Sequence, residues 1–173
     1  REVNAGPTAQ LDVKSERIAA ELKKYGVVPK KTYVAEACGG VEESRDFWRG
    51  MVDSDGWVSL VVDGKRPVIG LTGTKRIVEQ FIGFCEKTVP GHKGTIQPNG
   101  SGHAWRSTAK GKYAYWLAEV LYQDCTIALE RKLIKAQRIM ATCERLTNWG
   151  TRTWKFLTAD QLGTPIMVSL NIR

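Results

Sequence analysis

The chain has 173 residues, of which 42% are hydrophobic and 25% are charged, a balance typical of a globular protein with a buried core. Its formal net charge is +8 and its isoelectric point is about 9.4, which favours a polyanionic partner such as nucleic acid. No stretch approaches the roughly 18 consecutive apolar residues that a membrane span needs, and the first residues carry no apolar segment of the kind found in secretory signals.

The four cysteines are widely spaced, and they form no CxxC pair. Only two histidines accompany them, so the pattern argues against a zinc site. We therefore expect reduced, mostly buried thiols in an intracellular protein. The cysteines are Cys38, Cys85, Cys125 and Cys143.

Hydrophobic periodicity and turn residues predict helices that alternate with pairs of strands. In chain order, the predicted elements are a helix at Ser15–Tyr25, a helix from Ser44 to Asp55, strands at Trp57–Val62 and Arg66–Thr72, a helix at Lys75–Lys87, strands at Thr95–Pro98 and His103–Ala109, and helices at Tyr113–Tyr122 and Thr126–Leu146. Asp63-Gly64 joins the first strand pair, and the turn at residues 99–102 joins the second. This order predicts an α+β domain with four antiparallel strands and helices on one face.

Three regions follow from this reading. Residues 1–42 are predicted to form an N-terminal extension that consists of the first helix and a linker. Residues 43–146 form the main domain. Residues 147–173 form a C-terminal tail, in which an added strand at Ile166–Leu170 is one option.

The segment from Trp48 to Gly56 (WRGMVDSDG) places two acids, Asp53 and Asp55, in the last turn of a helix. That is the unfavourable end for an anion, by about 0.3–1 kcal/mol for each residue. A compensating charge is expected there, and a hard divalent cation supplies one because it takes carboxylate and carbonyl oxygens together. An ordinary helix end with Gly56 as the terminating residue is the alternative.

The same nine residues resemble the motif of the LAGLIDADG homing endonucleases. The small residues Gly50 and Ser54, both acids and the final glycine match, whereas Trp48 and Arg49 replace a usual leucine and a usual small residue. The resemblance continues into the flanking segments, residues 15–32 upstream and 121–132 downstream, and it covers residues 15–140. Arg49 must then point away from any paired helix.

The resemblance implies an αββαββα fold in which two motif helices pack side by side through Gly50 and Ser54. Asp55 and the backbone carbonyl of Ser54 would hold a divalent metal, Mg²⁺ first, with Mn²⁺ or Ca²⁺ as substitutes. Lys132 would be the active-site lysine that holds or activates water, and Asp53 would be structural. Such a protein hydrolyses phosphodiester bonds in double-stranded DNA at a long pseudo-palindromic site.

In this family a curved four-stranded sheet lies in the major groove, where each base pair shows a distinct pattern. Strand alternation sorts the residues that face the groove, and a slip of one residue would invert the assignment. Gly73 departs from the family, which has a longer polar residue there. The residues expected to contact DNA are Ser59, Lys65, Arg66, Thr72, Lys75, Arg76, Gln97, Asn99, Arg106, Thr108, Lys110 and Lys112.

A single motif supplies half of an active site, so we expect a homodimer that has neither a membrane partner nor a small-molecule substrate. The chain as half of a two-motif enzyme remains an alternative. An RNA splicing maturase and a non-catalytic DNA-binding regulator on the same fold are rival functions.

Overall fold

The computed structural model describes residues 14–27, 34–60, 66–100 and 104–141, and the backbone of residues 143–146 and 153–156. The helices in these ranges are α1 (Glu16–Lys23), α2 (Arg45–Asp55), α3 (Lys75–Thr88), α4 (Lys112–Tyr122) and α5 (Glu130–Ala141), with a 3-10 turn at Val41–Glu43. The strands are β1 (Gly56–Ser59), β2 (Val68–Gly73), β3 (Gln97–Asn99), β4 (Ala104–Lys110), β5 (Cys143–Leu146) and β6 (Thr153–Phe156).

The main sheet has four antiparallel strands in the order β1-β2-β4-β3. Strands β2 and β4 are its centre, and β1 and β3 are its edges. Helices α2, α3 and α4 pack against it, and α5 contacts both α4 and β1. The fold class is therefore α+β, as the sequence predicts.

The core lies between the sheet and the helices, and its centre is the indole of Trp48 on α2. This side chain is fully buried, and its ring centroid lies 5.4 Å from that of Phe81 and 6.1 Å from that of Phe84, both on α3. The indole N–H donates to the Glu42 carbonyl at 2.8 Å, so the polar atom of this core residue is satisfied.

At the following residues, the strand alternation agrees with the prediction. Val58, Ile69 and Leu71 are buried on the helix side of the sheet, whereas Arg66 and Arg106 are exposed. Helices α2, α3 and α4 pack on the side of Ile69 and Leu71, and the opposite face, on which Arg106 is exposed, is called the open face.

The last predicted helix is wrong at both ends. It begins at Glu130 rather than Thr126, because its first helical backbone bond runs from the Leu133 amide to the Leu129 carbonyl, and the Leu129 amide donates to Asp53. It ends at Ala141, because Cys143–Leu146 pairs with Thr153–Phe156 as a strand. Periodicity along one segment cannot register a pairing with a distant one.

Other predicted features lie partly or wholly outside the described residues. The Asp63-Gly64 turn, most of the 99–102 turn and the Ile166–Leu170 strand belong to this group. Among the helices that the structure describes, none is both long and apolar enough to cross a membrane.

His92 is a buried histidine near the end of α3, with 6% of its surface exposed. Its ring lies 5.2 Å from that of Tyr113, and its Nδ1 atom has no hydrogen-bond partner among the described residues. Burial lowers the pKa of His92 below its ordinary 6.5, against a smaller opposing effect of Glu86. The neutral ring is therefore the form that the fold accepts.

We expect His92 to make the fold less stable in mild acid. Since the pKa of His92 is lower in the folded state, the unfolded chain takes up the proton first as the pH falls. The free energy of unfolding is therefore undiminished above about pH 6.5 and decreases below that value. The loss is at most about 1.4 kcal/mol per pH unit. Urea unfolding of the wild type and of His92→Phe between pH 7.5 and 5 measures it. A stability difference between the two that stays constant over this range would contradict the prediction.

Candidate metal centre and nucleic-acid interface

Helix α2 carries the nine-residue motif, and it begins where the sequence predicts. The Ser44 side chain accepts a hydrogen bond from the Phe47 amide at 3.3 Å, and the dipole of this helix end favours Asp46 in the first turn. Trp48 and Val52 bury one face of the helix against the core. The other end of α2 is thereby held at the edge of the sheet.

Gly56 lets α2 pass into β1 with no connecting residue. A Cβ atom at this position would lie 2.5 Å from the Gly70 carbonyl oxygen and 2.8 Å from the Val52 Cα atom. Both neighbours are backbone atoms, which cannot turn aside as a flexible side chain can. The glycine is required by this close approach of helix and strand.

Asp53 is committed to contacts inside the chain. One carboxylate oxygen accepts a hydrogen bond from the Tyr122 hydroxyl at 2.8 Å, and the other accepts from the Leu129 amide, also at 2.8 Å. Because Leu129 directly precedes α5, Asp53 caps the N-terminus of that helix from outside. Burial, together with the bond to Asp53, raises the pKa of Tyr122.

Lys132 on α5 makes the complementary contact. Its ammonium group donates to the carbonyl oxygens of Val52 at 2.5 Å, Asp53 at 2.7 Å and Gly56 at 2.7 Å. These carbonyls belong to the last turn of α2 and the first residue of β1. The pKa of Lys132 is below its ordinary value, because burial and Arg131 lower it more than Asp53 and Asp55 raise it.

Helices α2 and α5 therefore cap each other. Asp53 at the end of α2 neutralises the N-terminal dipole of α5, and Lys132 near the start of α5 neutralises the C-terminal dipole of α2. The compensating charge that the sequence argument assigns to a bound cation is supplied by the chain itself. Asp53 is explained by this junction, but Asp55 is not.

Asp55 is the exposed acid at the same helix end. Its carboxylate accepts a hydrogen bond from the neighbouring Ser54 hydroxyl at 3.2 Å, and among the described residues it has no ion pair. The hydrogen bonds of Lys132 leave out the carbonyls of Ser54 and Asp55. The described residues of one chain contain no cluster of three metal-ligating side chains, so one copy offers one carboxylate and neighbouring carbonyls.

The exposed face of α2 is bordered by the α4–α5 connection. Gly50 and Ser54 are exposed, and a Cβ atom at Gly50 would meet nothing within 4 Å. Arg49 is buried instead, because its guanidinium donates to the carbonyls of Ile127 at 2.8 Å and Leu121 at 3.2 Å. Arg49 thus lies away from the exposed face, as the sequence argument requires, and it holds the connection beside α2.

The open face of the sheet brings several predicted DNA contacts into rows. Thr72 on β2 lies opposite Arg106 on β4, and Arg106 lies opposite Gln97 on β3. A second row joins Ser59, Val68 and Lys110. Directly opposed residues share a face, so each row spans three strands, the first with polar residues throughout and the second with Val68 between two polar residues.

The predicted contacts outside these two rows are more scattered. Thr108 lies between the rows on β4, Asn99 ends β3, and Arg66 is exposed just before β2. Lys65 lies outside the described residues.

Three predicted contacts already have partners near helix starts. Lys75 lies 5.5 Å from the centre of the Trp105 ring and 3.9 Å from a Glu79 oxygen. Arg76 pairs with Glu36 at 3.4 Å, and Lys112 lies 5.0 Å from the centre of the Tyr113 ring. All three cations remain exposed, so these contacts leave them accessible.

The departure at Gly73 has a local explanation. A Cβ atom there would lie 3.1 Å from Ile77 Cγ2, so any side chain at this position would require Ile77 to shift by a few tenths of an ångström. Tyr122 and the tether at Arg49 were not anticipated as parts of the site, because no local pattern indicates which distant carboxylate or carbonyl such residues meet.

No protein-family model matches the chain, and no curated protein matches it at a significant level.

We expect Gly56→Ala to lower the free energy of unfolding by about 1–3 kcal/mol, because the added methyl group meets two backbone atoms. Gly83→Ala is the matched control, since Gly83 lies within α3 and has nothing within 4 Å of its Cβ position. The control should gain about 0.5–1 kcal/mol. Urea denaturation measures both, and equal effects of the two substitutions would refute the steric account.

Proposed function

We propose that this chain is a divalent-metal-dependent DNA endonuclease of the LAGLIDADG homing type, which acts as a homodimer on a long pseudo-palindromic duplex. The proposal is based on the different contacts that Asp53, Asp55 and Lys132 make at the end of α2. Asp53 and Lys132 are used within the chain, while Asp55 is exposed beside the sheet edge. A carboxylate in that position is available to a ligand.

The donor set of Asp55 and the Ser54 carbonyl suits Mg²⁺, which prefers oxygen ligands and keeps several of its waters. Mn²⁺ and Ca²⁺ are expected to compete for the same oxygens. One chain offers too few ligands for a closed site, so a second Asp55 from another copy completes it. The metal would polarise the scissile phosphate and supply a hydroxide nucleophile.

The open sheet face supports binding to the DNA major groove. Its row of Thr72, Arg106 and Gln97 combines a guanidinium that suits guanine with an amide that suits adenine. Lys110 and Lys112 at the end of β4 and the start of α4 suit phosphate contacts, which position a protein without reading the sequence. The overall positive charge strengthens binding to any duplex.

The exposed side of α2 supports the homodimer. Gly50 and Ser54 allow a second helix to approach closely, and the α4–α5 connection is held to α2 through the bonds of Arg49 and Asp53. On this connection Ile127 is 79% exposed and Leu129 is 38% exposed, so a second protomer that packs here would bury apolar surface. An α2–α2 contact places two Asp55 side chains near a shared axis.

We expect Asp55→Asn to reduce cleavage by on the order of 1000-fold, since losing the metal contact removes several kcal/mol of transition-state stabilisation. Affinity for DNA should remain within a few fold of the wild type. Because the target is unidentified, the assay incubates the protein with Mg²⁺ and a randomised duplex library, and sequences the cleaved molecules.

Asp124→Asn is the matched control for that assay, because Asp124 is exposed and asparagine tolerates its positive φ. Equal cleavage by wild type and Asp55→Asn would refute the mechanism. Duplex binding without cleavage by the wild type would favour a DNA-binding regulator, and binding to folded RNA instead would favour a maturase.

We expect Gly50→Leu to weaken the homodimer at least about tenfold, because a large side chain prevents close approach of two helices. The folded protomer should not lose stability, since nothing lies within 4 Å of the added Cβ. Gly83→Leu, at another helix glycine with an open Cβ position, is the control. Sedimentation equilibrium measures the dissociation constants, and an unchanged dimer in Gly50→Leu would exclude this interface.

A further inference from the structure

We propose that Lys132 is a positioning residue that fixes the metal-binding end of α2, and that it does not hold or activate the attacking water. This inference rests on the proposed function, because it concerns the orientation of Asp55. It assigns to Lys132 a role different from the one that the family resemblance implies.

The hydrogen bonds of Lys132 leave no donor for a water molecule. The side chain is only 5% exposed, and its Nζ atom contacts three carbonyl oxygens at 2.5–2.7 Å. An ammonium group has three N–H donors. A contact with water or phosphate would therefore require breaking one of these bonds and leaving a carbonyl without its donor.

The three carbonyls surround the position of Asp55 along the chain. Val52 and Asp53 precede it in the last turn of α2, and Gly56 follows it as the first residue of β1. The ammonium group of Lys132 therefore binds backbone carbonyls on both sides of Ser54 and Asp55. The backbone that carries the Asp55 carboxylate and the Ser54 carbonyl is thereby restrained on both sides, although Lys132 contacts neither group.

Asp53 completes the restraint from the opposite direction. Its carboxylate holds the Leu129 amide, three residues before Lys132, so α5 cannot move away from α2 without breaking both contacts. The backbone of the junction is therefore pre-organised, so that little main-chain ordering is needed when Asp55 binds a metal.

Amide hydrogen exchange of the full chain tests the local restraint. In Lys132→Met, peptides that span residues 48–58 should exchange at least tenfold faster than in the wild type, while peptides from α3 keep their protection. Lys135→Met is the control, because it removes an exposed charge one turn further along α5. Unchanged protection of residues 48–58 in Lys132→Met would overturn the proposal.

Lys132→Gln is a milder variant, because its amide retains two N–H donors but carries no positive charge. Exchange in this variant should fall between those of the wild type and of Lys132→Met. Exchange as fast as in the methionine variant would show that hydrogen bonding to the carbonyls is not what restrains the segment, and would count against the proposal.

Binding of Tb³⁺ alone, a hard cation with luminescence that a nearby indole sensitises, tests the effect on the metal site. Trp57 lies two residues from Asp55 and serves as the donor. We expect Lys132→Met to bind Tb³⁺ at least tenfold more weakly and Lys135→Met to match the wild type. Equal affinity of Lys132→Met and wild type would overturn the positioning role.

Asp55→Asn separates this inference from the proposed function. If Asp55→Asn binds Tb³⁺ as the wild type does, the metal site itself is wrong, and the positioning of Asp55 as a ligand fails with it. If Asp55→Asn loses binding and Lys132→Met does not, only the inference about Lys132 fails.

The pH dependence of cleavage distinguishes positioning from proton transfer. With a substrate recovered from the library, Lys132→Gln should cleave more slowly than the wild type but keep the same shape of the pH–rate curve. Loss of one limb of that curve in Lys132→Gln would identify Lys132 as a proton carrier and refute the proposal.

Discussion

The reciprocal capping of α2 and α5 is the interaction on which the rest of the candidate site depends. The last carbonyls of a helix point along its axis without hydrogen-bond partners, so this end of the helix carries a partial negative charge. Here the ends of two helices satisfy one another through Asp53 and Lys132. The arrangement explains how an acid can occupy the unfavourable end of a helix at little cost, since that acid serves a different helix.

The capping also decides how the acid pair should be interpreted. From sequence, Asp53 and Asp55 form one anomaly that calls for one explanation. In the structure they differ, because Asp53 is half-buried and accepts hydrogen bonds from Tyr122 and Leu129, whereas Asp55 is exposed. Of the two acids, Asp55 alone is therefore a candidate for metal binding, together with the second Asp55 that a dimer would supply.

The sequence predicted the elements of the main sheet and the faces of its strands, because strand alternation, hairpin residues and a serine helix cap are local signals. It did not predict the contacts of Lys132, because three carbonyls of another helix leave no mark on the sequence around a lysine. Likewise, nothing near Tyr122 indicates its bond to Asp53, and the β5–β6 pairing depends on two separated segments. Tertiary partners of polar side chains were the information that local patterns lacked.

The direct passage from α2 to β1 has a consequence for symmetry. With no residue between helix and strand, and with Gly56 fitted against the Gly70 carbonyl, the axis of α2 and the direction of β1 turn as one body. In a dimer built on α2, the geometry of the helix crossing would then set the distance between the two sheets. If such a dimer binds DNA, the packing of the two helices would also set the spacing between the half-sites of the duplex. A target with one extra central base pair would then be out of register with at least one sheet.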